Sequence, residues 1–152
     1  MSPSDDTWND ELVTWHGLPV GRRVLVADDD ATMREALALA LRERGYQVAT
    51  VRCWPEPTSL QSGPASTRFD LIVADLRLPA SSALDVIDQL RQHGDTTPVI
   101  ITAAFPQAEA RTRAKHLEVR LLEKPFGMET LRSAVDWAIR TKARREMCNL
   151  AP

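Results

Sequence analysis

The sequence predicts an α/β domain built on a doubly wound parallel sheet, and three observations carry that prediction. Short apolar runs alternate with stretches of helical periodicity from Arg23 onwards, the order that right-handed crossovers wind into one sheet with helices on both faces. The first run, Arg23-Val-Leu-Val-Ala-Asp28, is apolar without alternation, as a strand covered on both sides must be. Four of the runs end at their carboxyl side in reactive residues: Asp28 with Asp29, Asp75, Thr102 and Lys124. Parallel strands gather such ends along one edge of the sheet, where open α/β sheets place their ligands.

Met1 to Gly21 reads as an extension, polar at first and then carrying Trp8, Leu12, Val13 and Trp15 before Gly17 and Pro19, a set able to fold back on the domain. After the first strand, Met33, Ala36, Leu37, Ala40 and Leu41 recur at helical spacing, with Arg34, Glu35, Arg42 and Glu43 opposite and Gly45 placed to stop the helix. Either Asp30 or Thr32 can cap it, Thr32 with Glu35 matching a capping box. Tyr46 to Val51 is a second strand whose polar alternation suits a sheet edge. Pro55, Pro57, Gly63 and Pro64 then leave room only for a short helix, Glu56 to Gln61.

Phe69 to Asp75 is the third strand. Ser82 can cap the helix that follows, with Leu84, Val86, Ile87 and Leu90 inward and Gly94 at its end. Pro98 to Thr102 is the fourth strand, its proline at the start where a missing donor is tolerated. Pro106 suits the first turn of a fourth helix reaching His116. Glu118 to Leu122 is a short fifth strand, and Met128 to Met147 the last helix, with Leu131, Ala134, Val135, Ala138 and Ile139 inward. The domain therefore spans residues 22–147, between an extension (1–21) and a stub (148–152).

The 152 residues, 43% of them hydrophobic, suffice for one domain with one sizeable core. A net charge of −2 supplies no basic field, so the expected partners are proteins, with no nucleic acid and no membrane surface. No run reaches membrane-spanning length. Met1 to Glu11 is acidic and lacks a leader-like apolar stretch, and Cys53 and Cys148 have no metal-type spacing. A reducing cytoplasmic setting accounts for both cysteines.

Three carboxylates from neighbouring strands, Asp28, Asp29 and Asp75, repel one another unless a cation or protons intervene. The hard oxygen set suits Mg²⁺, which commonly takes one or two protein carboxylates, several waters and a phosphate oxygen. A carboxylate can itself attack phosphorus to give an acyl phosphate, and Asp75 is the natural nucleophile. Phosphoryl transfer then asks mainly for charge stabilisation around the equatorial oxygens. Mg²⁺ serves one oxygen, the Lys124 ammonium a second and the Thr102 hydroxyl a third, while Ala103 leaves room for the group to enter.

The order and context of Val24-Leu-Val-Ala-Asp28-Asp29, Asp75-Leu-Arg-Leu-Pro79, Ile101-Thr102-Ala103 and Glu123-Lys124-Pro125-Phe126 resemble the receiver domain of two-component response regulators, from Arg23 to about Thr141. The resemblance implies a flavodoxin-like sheet of order 2-1-3-4-5 and phosphorylation of Asp75 by a histidine kinase or phosphotransfer protein. It implies that Asp29 and Asp75 bind Mg²⁺ directly, that the Arg77 carbonyl adds a ligand and that Asp28 acts through water. Lys124 would contact the phosphoryl group, Thr102 would move towards it as the switch, and the Lys124–Pro125 bond would be cis. The chain would then catalyse only its own phosphorylation and dephosphorylation. Its output would be a target protein, or a second copy, bound through the face of the fourth helix, fifth strand and fifth helix.

Three positions depart from that pattern. Leu121 stands where the family usually has an aromatic residue, Ala80-Ser-Ser-Ala83 replaces a glycine-bearing turn, and prolines interrupt the second helix. Two other readings remain. Asp28-Asp-Asp30-Ala-Thr32 also fits the nucleophile motif of haloacid-dehalogenase-like phosphatases, with Asp28 as nucleophile, although that reading leaves Asp75 idle. A receiver-like interaction module that is never phosphorylated is the other. His16, His93 and His116 share no spacing and read as surface residues, Trp54 and Trp137 as packing. Arg140, Lys142, Arg144 and Arg145 read as cations favoured by the dipole at a helix carboxyl end.

Overall fold

The computed structural model describes residues 22–54, 69–79 and 81–150. The extension and the expected helix at Glu56 to Gln61 lie outside these residues. The described chain runs β1 (Arg23–Ala27), α1 (Ala31–Glu43), β2 (Gln47–Val51), β3 (Leu71–Asp75), α2 (Ala83–Gln92), β4 (Val99–Ala103), α3 (Ala108–His116), β5 (Arg120–Glu123) and α4 (Met128–Leu150). All four strand pairings are parallel, in the order β2-β1-β3-β4-β5. The doubly wound sheet and its order are thus as expected, with β2 at an edge.

Alternate residues of the inner strands feed two cores. Val24, Val26, Leu71, Val73 and Ile100 meet Leu37 and Leu41 of α1 and Leu131, Val135 and Ile139 of α4. Leu25, Ile72, Ala74, Val99 and Ile101 meet Leu84 and Ile87 of α2 and Ala114 of α3, with Trp54 buried among them. Each fully buried Leu, Ile or Val contributes roughly 1.5–3 kcal/mol over its exposed state. The period of two along strands covered on both faces is what makes the runs read as unbroken apolar sequence. The two layers are unequally anchored: α4 buries Leu131, Ala134, Val135, Ala138 and Ile139, whereas Ala114 alone of the nine α3 residues is buried.

Several boundaries differ from expectation, for local reasons. Asp30, and not Thr32, caps α1, its carboxylate accepting the Thr32 N–H at 3.0 Å. Ser82 caps α2 as expected, accepting the Leu84 N–H at 3.2 Å, and Gly45 and Gly94 take positive φ values of 95° and 81° just past α1 and α2. Pro106 does not open α3: Gln107 is the N-cap, in extended conformation, so the proline lies before the helix. Glu118 is not strand. Its φ of 58° turns the chain out of α3, its N–H bonds the Lys115 carbonyl at 3.2 Å, and β5 begins only at Arg120. The last helix runs three residues beyond Met147, to Leu150.

The basic end of α4 is also more than a dipole complement. Lys142 is 9% exposed and its ammonium donates to Asp70 Oδ1 at 2.8 Å and to the Phe69 carbonyl at 3.3 Å. Arg145 bonds the Thr96 carbonyl at 2.6 Å and Glu118 at 2.8 Å. These bonds fasten the helix to the amino-terminal rim of the sheet, opposite the reactive strand ends. Among the described residues no helix is long and apolar enough to cross a membrane.

Candidate functional site

Every reactive strand end arrives at the same rim. Asp28 directly follows β1, and its N–H extends the ladder to the Val51 carbonyl at 3.1 Å. Asp75 closes β3 and stands in register with Thr102 of β4, while Ala103 is paired with Glu123, the residue before Lys124. The ladder continues past the strands: Leu76 N–H bonds the Thr102 carbonyl at 2.8 Å and Lys124 N–H bonds the Ala103 carbonyl at 2.7 Å. Three neighbouring loops are therefore tied backbone to backbone. The Lys124–Pro125 peptide is cis.

Carboxylate oxygens of Asp28, Asp29 and Asp75 lie within 4.8 Å of one another. The Lys124 ammonium sits 2.9 Å from Asp75 Oδ2 and 3.6 Å from Asp28 Oδ2. Asp28 is wholly buried, Asp75 is partly buried and Asp29 exposed, so the cluster is graded from floor to mouth. Burial pushes the Asp28 carboxyl above its ordinary range, and the charges of Asp75 and Asp30 add to the rise, against the opposing Asp30 N–H and Lys124 ammonium. For Lys124, burial alone would favour the neutral amine. The hydrogen bond and charge of Asp75, with help from Asp28, more than reverse this and hold its pKa above the ordinary value, so the group is an ammonium at neutral pH.

Two buried side-chain atoms here lack a hydrogen-bond partner, Asp28 Oδ2 and Thr102 Oγ1. Buried polar atoms are seldom left so, and both belong to the reactive set. Three hard carboxylates in a half-open cleft fit a hydrated divalent cation of the Mg²⁺ kind. The Thr102 hydroxyl, buried at the end of β4, is available to an incoming oxygen. Ala103 is 3% exposed beside it. Arg77 lies in the loop after β3, its N–H donating to Asp75 Oδ1 at 3.1 Å and its side chain exposed. Leu121, in register with Ile101, is half-buried against the second core.

One contributor escaped the sequence reading. Arg34 Nη1 donates to the Asp28 carbonyl at 2.7 Å, bracing the loop that carries the acidic pair. Its signal was a cation in the first turn of α1, which holds no acid, although helix amino ends favour negative charge. Arg34→Ala is expected to lower unfolding free energy by about 1.5–3 kcal/mol, the worth of a hydrogen bond to a charged group. Urea denaturation followed by circular dichroism checks this. His93 and His116 are exposed, and Trp137 packs against the first core with the Arg120 guanidinium 5.2 Å above its ring.

Comparison with known proteins agrees with this geometry. The family model described as the response regulator receiver domain matches residues 24–136. The alkaline phosphatase synthesis transcriptional regulatory protein SphR of Synechococcus elongatus is 30% identical over 139 residues, covering 86% of this chain and 53% of that protein. Response regulator MprA of Mycolicibacterium vanbaalenii is 34% identical over 110 residues, 72% of this chain and 46% of that protein. The chain thus spans about half the length of these relatives. Among solved structures, a signal receiver domain of an HD domain-containing protein from Pseudomonas fluorescens superposes with a TM-score of 0.74 at 20% identity, covering 86% of this chain and 95% of that one. The chemotaxis protein CheY4 of Vibrio cholerae gives a TM-score of 0.66 at 24% identity, over 78% and 98% of the two chains.

Proposed function

The chain belongs to the response regulator receiver domain family, and from that premise we propose that Asp75 accepts a phosphoryl group from a phosphohistidine of a kinase or phosphotransfer protein. The observation that carries the reading is the Lys124 ammonium held 2.9 Å from Asp75, itself one of three carboxylates whose oxygens lie within 4.8 Å of one another. An Asp75 oxygen attacks phosphorus, the new O–P bond forming as the N–P bond to the donor histidine breaks and that nitrogen leaves with the electron pair. Asp29 and Asp75, with the Arg77 carbonyl, would hold Mg²⁺ directly and Asp28 would do so through water. The ion supplies charge neutralisation at one phosphoryl oxygen. Lys124 neutralises a second, and the Thr102 hydroxyl donates to a third.

Asp75 is favoured over Asp28 as nucleophile because the Asp28 side chain is 0% exposed and the Asp75 side chain 15% exposed. Phosphorylation adds a charge of about −1.5 to −2 by analogy with other phosphorylated side chains. Drawn to it, Thr102 and Lys124 pull their loops inward and reshape the face of α3, β5 and α4, which then binds a target protein or a second copy. The reading places the receiver at residues 22–147, in the cytoplasm, with no activity beyond its own phosphorylation and dephosphorylation.

Incubation of the chain with Mg²⁺ and a small acyl-phosphate donor is expected to add one phosphoryl mass, and chelation of the metal to prevent it. Steady turnover of a phosphate ester, lost in Asp28→Asn and kept in Asp75→Asn, would instead identify a phosphatase. Absence of any mass gain would mark an unphosphorylated interaction module. Arg77, exposed two residues after the nucleophile, shields the acyl phosphate from water in this reading. Arg77→Ala is therefore expected to speed dephosphorylation about tenfold, or ~1.4 kcal/mol of barrier, measured by loss of the phosphoryl mass over time.

A further inference from the structure

Among the described residues Phe105 is the most exposed of the large hydrophobic side chains, at 86%, and it stands at the lip of a groove of about 360 Å³ between α2 and α3. The groove has an apolar floor of Leu76, Leu78, Leu84 and Ala110, with the guanidinium-bearing Arg77 and Arg113 beside it. The walls are mixed, with Ser81, Ser82, Gln107 and Glu109 among them, but the hydrophobic effect favours an exposed ring moving onto the apolar side chains of the floor wherever the backbone permits it. Cationic side chains at the rim suit an aromatic face as well.

The backbone that must permit it is the switch loop. Phe105 follows Thr102 by three residues. The Thr102 carbonyl is held by the N–H of Leu76, itself part of the groove floor, and the Ala103 carbonyl is held by the N–H of Lys124. Any inward movement of Thr102 and Lys124 towards a phosphoryl group therefore passes through the two residues preceding Phe105. The helix that begins after it offers little resistance, since α3 buries only Ala114. At the β5 position Leu121 supplies a half-buried aliphatic side chain packed on the second core, so a ring cannot move there.

Building on the phosphorylation of Asp75 proposed above, we propose that Phe105 is the mobile aromatic of this receiver: exposed at rest, it closes into the α2–α3 groove when Thr102 is drawn to the acyl phosphate. The occupant of the groove is thus the chain's own ring. Closure removes the ring from the surface, occupies part of the cleft, and changes both flanks of α3 in one step. Leu121 then marks a receiver in which the ring has been relocated from strand to loop.

The 152-residue chain labelled with fluorophenylalanine gives signals for Phe69, Phe105 and Phe126, and Phe105→Leu identifies the one of interest. A soluble paramagnetic chelate broadens an exposed ring. After Mg²⁺ and a small acyl-phosphate donor are added, with phosphorylation verified by intact mass, the broadening at Phe105 is expected to fall roughly tenfold, as a shift to about nine closed chains in ten requires. Ala110→Leu, which occupies the groove without touching the site, should still gain the phosphoryl mass yet keep Phe105 broadened. A phosphorylated wild-type chain whose Phe105 stays fully broadened overturns the proposal while leaving the phosphorylation reading intact. No mass gain overturns that reading, and this proposal with it.

Discussion

Asp75→Asn is expected to abolish phosphoryl incorporation, with a fall on the order of 10³-fold or more, equivalent to at least ~4 kcal/mol of barrier. An amide oxygen carries no full negative charge and is a poor nucleophile towards phosphorus, and the substitution removes one of three clustered carboxylates. The fold should survive. Lys124 loses its contact at 2.9 Å but keeps Asp28 at 3.6 Å, and the relief of repulsion between Asp75 and its neighbours offsets the lost ion pair. Intact-mass measurement with Mg²⁺ and an acyl-phosphate donor, beside a thermal melt, separates loss of chemistry from loss of structure. A variant that still gains the phosphoryl mass would place the nucleophile elsewhere, with Asp28 the first residue to replace.

The largest effect on stability is expected at the opposite end of the sheet. Asp70 accepts from Lys142 at 2.8 Å and from the Arg23 N–H at 2.9 Å, and lies 3.7 Å from the Arg22 guanidinium. Both cations are buried, Arg22 at 8% and Lys142 at 9% exposure. Asp70→Asn removes the charge that compensates them and is expected to cost about 3–5 kcal/mol, as for one partner of a buried pair. Burial alone would raise the Asp70 pKa, but the Lys142 bond, the Arg23 N–H and the charges of Lys142 and Arg22 together lower it from 3.8. Its contribution is therefore complete above the unfolded-state value, roughly pH 4, and is lost as pH falls through the lower folded-state value. Urea denaturation of the two chains should give a constant difference from pH 8 to pH 5 that narrows only in stronger acid. A difference that shrinks between pH 8 and pH 6 would point to another group.

The strand ends are legible in the sequence because a strand buried on both faces writes an unbroken apolar run, and the polar residue that ends the run marks where the sheet meets solvent. Asp28, Asp75 and Thr102 are found that way, each being the first reactive side chain at or after such a run, whereas Lys124 follows a shorter run and stands one place beyond Glu123, marked by the proline after it. Lys142 is not. In sequence it is one cation among several near a helix end, and the carboxylate it bonds lies 72 positions earlier, a pairing no local pattern encodes. Glu118 shows the same limit at short range, since Val119 has strong β preference while the departure from α3 requires the positive φ seen one residue before it. Arg34 was legible in principle, its sign being wrong for its place in the helix. The α2–α3 groove was not, because a void arises from how separate segments fail to fill the space between them.

The light anchoring of α3 bears on how such a chain diversifies. With only Ala114 committed to the interior, the helix's outward positions can be replaced at little cost, since substitutions away from packed or bonded features generally shift stability by within about 0.5 kcal/mol. The outward surface of this one helix can thus change in shape and charge while the interior, and the rim of strand ends built on it, keeps its packing.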